Sequence, residues 1–282
     1  MSHRIIYRIS VIVLFSVLSV AAAEPNACCA AAETTKAVKL SPELETLLAN
    51  VEQRGESLKS FQAAMLYEQI QPLTDTLTTR TGDMYYQADA KTVRFRIHFA
   101  DYLQVDTEGD VRPKPRKFNE DFAFDGMWVT RRNDRTKSIQ RRQVARTTRN
   151  KEDFRLGKGP FPLPFALKRE DIVKEFDIKL MGPDPKDKTF KDADHLLLKP
   201  KPKSSYADKY VKLELWLAKK DTVPVRMRYE VDNAETTTVT WSNIKIDKKI
   251  SARTFDLKPG GADWDVEEIP LREEPAEALE TK

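Results

Sequence analysis

The stretch SFQAAMLYEQI (residues 60–70), TDTLTTRTGD (74–83) and MYYQADAKTVRFRIHF (84–99) decides the fold. Its last part alternates: Val93, Phe95, Ile97 and Phe99 share one parity, and Arg94, Arg96 and His98 the other. A period of two is the mark of a strand with one dry face and one wet face. The Thr-, Gly- and Asp-rich middle reads as the tip of one long antiparallel hairpin. The dry face carries two phenylalanines and no small residue. It therefore needs bulky cover, either a helix of the same chain or a bound apolar ligand.

Upstream, Ser41-Pro42-Glu43 supplies an N-cap, a first-turn proline and an early acid, and Leu44, Leu47, Leu48 and Val51 follow at helical spacing. This amphipathic helix is the first candidate cover. Downstream, residues 118–124 and 127–131 flank Asp125-Gly126, a two-residue hairpin signal. Residues 138–144 add a strand, and a proline-broken run leads to a short helix over 166–175. Strands then follow at 176–181, 195–199, 210–218, 223–231 and 236–246, with a bulge before Ile244 and a final edge segment at 255–265. The fold class is α+β: about nine to eleven strands, mostly antiparallel, forming either a strongly curved single sheet or a barrel, with one helix before them and one helical insert midway.

The chain of 282 residues opens with Arg4 and Arg8, an apolar run over 11–20 and Ala21-Ala22-Ala23. That is the pattern of a cleaved signal peptide, residues 1–23; the alternative is a retained N-terminal anchor. Residues 24–40 read as a flexible linker, 41–270 as the folded domain and 271–282 as a disordered acidic tail. The mature protein is expected to be exported. The two cysteines, Cys28 and Cys29, are adjacent and make a poor structural bridge, so the fold must rest on its core. They read as linker cysteines; lipidation at Cys28 is the alternative, poorly matched by Pro25-Asn26-Ala27 before it.

The formal charge of +4 argues only weakly for an anionic partner. Residues 131–158 hold eleven basic and three acidic residues. They read either as a solvated hairpin face or as a docking surface for lipid head groups or an acidic partner, with Arg131, Arg132, Arg135, Arg141 and Arg142 as its residues. Export and the lack of interleaved aromatics disfavour nucleic acid. His98 and His195 sit in strands as surface residues, without metal-ligand spacing. No phosphate loop, serine elbow or His–carboxylate pairing emerges, so no catalytic residue, metal or cofactor is expected.

A helix running into SLKSFQAAMLYEQ, then GDMYY, FDGMWV, PLPFAL and a closing FDL-Lys-Pro-Gly recur in an order that resembles the LolA family of periplasmic outer-membrane lipoprotein carriers, over about residues 43–268. The resemblance implies a bent half-barrel whose helices plug the open side and whose cavity takes lipoprotein acyl chains. Lining residues follow from strand phase: Phe61, Met65, Met84, Tyr86, Phe95, Ile97, Phe122, Phe124, Trp128, Leu213, Leu215, Met227, Tyr229 and Trp241. Leu44, Leu47, Leu48 and Phe165 form the lid side. Two departures stand out. The stretch matching the carriers' Lys-Arg-Pro triplet, whose arginine holds the lid, is Gln87-Ala88-Asp89 with no arginine, and the loops are longer and the surface more basic.

The functional expectation is a monomeric, non-enzymatic carrier or chaperone that moves lipoprotein acyl chains, or free lipid, towards the outer membrane with transient membrane-complex partners. A sensor or interaction module on the same fold is the alternative, reading lipoprotein or a membrane partner without transporting it. An exported enzyme acting on an acyl or glycan substrate would need buried titratable groups in the cleft, and none is evident from the sequence.

Overall fold

The computed structural model describes residues 40–106, 114–149, 167–182 and 188–271. The predicted signal peptide, the linker up to residue 39, both cysteines, Phe165, basic residues 151–158 and the tail from 272 lie outside the described residues.

Helix α1 (Pro42–Ser57) leads into twelve strands. These are β1 (Ser60–Gln71), β2 (Thr76–Ala88), β3 (Val93–Asp106), β4 (Arg116–Phe124), β5 (Trp128–Asn133) and β6 (Ser138–Gln143), then, after α2 (Arg169–Glu175), β7 (Phe176–Met181), β8 (Ala193–Pro200), β9 (Lys212–Ala218), β10 (Pro224–Glu230), β11 (Thr236–Ile246) and β12 (Asp265–Ile269). All belong to one open sheet of order β12-β6-β5-β4-β3-β2-β1-β11-β10-β9-β8-β7. The chain starts in the middle, meanders out to β6, crosses to the far edge at β7 and meanders back until β11 closes on β1. Every pairing is antiparallel except β12 on β6.

Three expectations change. The predicted hairpin tip over 74–83 is strand: the turn is at Pro72–Thr74, and Thr76, Thr78 and Arg80 carry β2 on in phase. Threonine is β-branched and fits a pleated surface, so a Thr-rich run need not be a turn. The final edge segment lies later than 255–265, at Asp265–Ile269, and runs parallel. Among the described residues the strand count is twelve rather than nine to eleven.

Register assigns the faces. Phe61 pairs with Tyr86, Tyr86 with Phe95, Phe95 with Phe124 and Phe124 with Val129, a row across five strands. The next row runs Ala63, Met84, Ile97, Phe122 and Arg131. On the other wing Met227 lies between Val239 and Leu215, and Leu215 faces Leu196. We call this apolar side the inner face. The outer face carries Arg94, Arg96, His98, Asp121 and Arg132 beneath residues 247–264, which run from β11 to the β6 edge. There Arg96 Nη1 donates to the Thr254 carbonyl at 3.2 Å, and Arg132 stacks on Trp264 at 4.8 Å.

Helix α1 buries Leu44, Leu47, Leu48 and Val51. Its ties include Arg54 Nε donating to the Asp221 carbonyl at 2.7 Å and an exposed Arg169–Glu45 pair at 3.2 Å, the latter reaching α2.

Gly82 sits where the β2–β3 register shifts, with the His98 carbonyl oxygen 1.7 Å from where a Cβ would stand. No side chain fits against that backbone. Gly82→Ala should cost about 3 kcal/mol or more, read as a lowered denaturation midpoint with an unchanged m-value.

Candidate functional site

The inner face gathers most of the predicted lining residues. Phe61, Met65, Met84, Tyr86, Phe95, Phe122, Phe124, Leu215, Tyr229 and Trp241 are buried on it, while Ile97, Leu213 and Met227 are half-buried. Phe95 stacks on Phe124 at 5.6 Å, and Phe99 meets Phe122 edge-on at 6.3 Å. Burial pushes the hydroxyls of Tyr86 and Tyr229 up, so both stay protonated across the physiological range. On the lid side, Leu44, Leu47 and Leu48 are buried.

Trp128 does not belong to this set. With Phe124 paired to Val129, Trp128 has outward parity, and its ring packs under the Arg141 guanidinium at 5.1 Å. The phase expected across the Asp125-Gly126 turn put Trp128 inward; the observed register puts Val129 there instead.

The five predicted docking arginines do not form one surface either. Arg131 and Arg142 have inward parity, Arg132 and Arg141 outward. Arg131 is held by Glu120 at 2.5–2.7 Å, Arg132 by Asp134 at 3.0 Å and Arg141 by Glu268 at 2.6 Å. Acidic β12 lies along the basic β6 edge, with Glu267 accepting from Gln140 and Asp263 pairing with Lys137. Arg135 alone of the five is exposed with no carboxylate partner among the described residues. The chain supplies its own counter-charge for much of this basic stretch.

Sequence reading also missed buried titratable groups. Glu120 is 0% exposed on the inner face, Asp121 is 2% exposed on the outer face and Arg80 is 6% exposed on the inner face. Asp121 accepts from Arg96 at 2.7–2.8 Å and bonds His98 Nδ1 at 3.0 Å. Burial pushes its carboxyl up, but the His98 bond and the Arg96 guanidinium outweigh that and hold it below the usual carboxylate range. A second pair joins His195 Nε2 to Glu214 at 3.0 Å, with the imidazole stacked on Trp216 at 4.1 Å. Each histidine thus bonds a carboxylate across a strand boundary, and neither is the free surface residue expected. These pairings escape a spacing search because their partners sit on neighbouring strands, 23 and 19 residues apart. Among the described residues no cluster of His, Cys, Asp and Glu could hold a metal.

A cavity of about 670 Å³ opens on the outer face between β3–β6, β12 and residues 252–259. Its charged lining largely pairs with itself: Arg141 with Glu268, and Lys258 with Asp256 at 3.1 Å.

No family model matches the chain, and no curated protein matches it. Among solved structures, an uncharacterized conserved protein from Thermus thermophilus aligns over 80% of this chain and 99% of its own, at 13% identity and a TM-score of 0.44. The MucA/MucB complex from Pseudomonas aeruginosa aligns over 77% of this chain and 61% of that one, at 12% identity and a TM-score of 0.42. A LolA superfamily protein from Nitrosomonas europaea aligns over 76% and 97%, at 10% identity and a TM-score of 0.32. These are distant structural similarities.

Because the folded Asp121 carboxyl is lowered, its contribution is present above the unfolded value of about 3.9 and is lost as pH falls through the folded value. Asp121→Asn should destabilise by about 3–5 kcal/mol at neutral pH, since it leaves Arg96 without its buried partner. The gap to the parent should close as pH falls below about 4, in chemical denaturation measured across pH.

Proposed function

We propose that the protein is an exported carrier that holds the acyl chains of a lipidated protein, or of free lipid, on the inner face of a half-barrel-like sheet beneath α1. The observation that carries this reading is the unbroken row Phe61, Tyr86, Phe95 and Phe124, backed by Met84, Ile97 and Phe122. Such an area suits a flexible apolar ligand, because each buried methylene contributes about 0.8 kcal/mol and needs no directional partner. The outer face is charged, so the buried leucine stripe of α1 has its apolar complement on the inner face. Helix α1 is thus the movable cover: it shields the face in the empty state and gives way when acyl chains enter. Release follows from the same two-state cover, because a ligand shifts the equilibrium only by its differential affinity for open and closed forms. The periplasm is the expected compartment, and catalysis forms no part of this reading.

The test is native mass spectrometry of protein purified without detergent, followed by organic extraction and re-addition of lipid. A lipid adduct is expected. Ile97→Glu and Met227→Glu place charges at half-buried inner positions, sparing the fully packed rows, and should weaken lipid uptake at least about tenfold. Trp128→Glu, on the other face, should leave uptake intact. A parent protein that carries no adduct and takes up no added lipid would overturn the reading, as would loss of uptake in Trp128→Glu with retention in both inner variants.

A further inference from the structure

Arg80 lies on the inner face of β2, between Tyr67 of β1 and Tyr102 of β3 in the two ladders. Its guanidinium carbon is 5.3 Å from the Phe99 ring centroid, 5.5 Å from Phe118, 5.6 Å from Tyr67 and 5.7 Å from Tyr102. The side chain is 6% exposed, and its Nε is buried without a hydrogen-bond partner. Among the described residues no carboxylate stands within ion-pair distance of it. The neighbouring acids are engaged elsewhere: Glu120 holds Arg131, and Glu235 accepts from Gln69 and Gln71.

Four ring faces offset part of the cost of burying a cation, but a ring quadrupole does not fill the in-plane Nε–H donor, which stays without a partner. A planar fork of this kind matches a carboxylate or phosphate edge. Its position matters as much. Met84 and Tyr86 lie four and six residues along the same strand and face, about 13–20 Å away. Along β2 the inner face therefore runs from the aromatic row at Tyr86 to a caged cation at Arg80, whereas Arg131, the other inner guanidinium near these rings, is held by Glu120.

We propose that Arg80 is the head-group site of this face, taking the carboxylate or phosphate of an anionic amphiphile whose chains lie along the aromatic rows. This rests on the carrier reading and narrows it from apolar ligands in general to acidic ones. The cage orients the guanidinium, and the unfilled Nε–H is a donor available to the anion.

The experiment compares oleate, methyl oleate and inorganic phosphate, by calorimetry at a pH where oleate is ionised. The proteins are the parent, Arg80→Met and Arg80→Lys, each checked for folding by circular dichroism. The parent should prefer oleate over methyl oleate by about ten- to a hundredfold, the span of one charge-assisted contact. Arg80→Met should bind both equally, the preference for oleate being lost. Replacing a buried cation by an apolar side chain of similar length is compatible with folding. Should that variant unfold, Arg80→Lys carries the test: it keeps the charge but loses the planar fork, and its oleate preference should shrink while methyl oleate still binds.

Equal binding of oleate and methyl oleate by the parent would overturn the head-group site and leave the carrier standing. Binding of neither would overturn both. Inorganic phosphate binding as tightly as oleate, and abolished in Arg80→Met, would make this a site for a free anion and overturn the head-group assignment.

Discussion

Side chains alternate along a strand, so a slip of one residue among β1, β2 and β3 would carry Phe61, Tyr86 and Phe95 to the charged side and bring Arg94 and Arg96 inside. Two features pin the register against that slip. Gly82 lets the His98 carbonyl approach where any side chain would block it, and the shift there absorbs the extra residue of β3. Asp121 then clamps the outer side, drawing Arg96 and His98 of β3 to one carboxylate on β4. Polar specificity on one face thereby fixes apolar packing on the other.

This coupling explains why so much charge is buried in a sheet whose function is proposed to be apolar. A carboxylate taken out of water is costly unless paired and hydrogen-bonded, and Asp121 is both. Glu120, one residue earlier, faces inward and is held by Arg131, so β4 carries an engaged acid on each face. Arg80 differs from these. Its surroundings are rings rather than acids, which is why it reads as a binding group while the acids read as register clamps.

Much of this was legible in the residues. The alternation over 93–99, the Ser41-Pro42 helix start and the Asp125-Gly126 turn each stated a local geometry, and the chain adopts them. What was not legible depended on partners distant in sequence. The Thr-rich run through Arg80 has too little hydrophobicity to announce a strand, and it becomes one because β1 and β3 flank it. β12 shows no alternation; it is held by a parallel ladder, the Arg141–Glu268 ion pair and a Gln140–Glu267 hydrogen bond to β6, and Val266 remains 52% exposed. Trp128 was misplaced because the phase across the Asp125-Gly126 turn depends on the β4–β5 register, which pairs Phe124 with Val129. The paired histidines were invisible to spacing because a sheet makes neighbours of residues about twenty positions apart.

The cover itself must satisfy a balance. Burying Leu44, Leu47, Leu48 and Val51 is worth at most about 6–12 kcal/mol on the usual scale for aliphatic side chains. A single acyl chain of about sixteen carbons offers a comparable gain at about 0.8 kcal/mol per methylene. The polar ties of α1 add little, since an exposed pair such as Arg169–Glu45 contributes about 0–1 kcal/mol. In the proposed carrier, helix and ligand would compete for the same face on near-equal terms. A much greasier helix would exclude cargo, and a polar one would leave the aromatic rows open to water and to other chains. On the proposed reading, the four-residue apolar stripe of α1, with modest polar anchoring, suits a reversible occupant of that face.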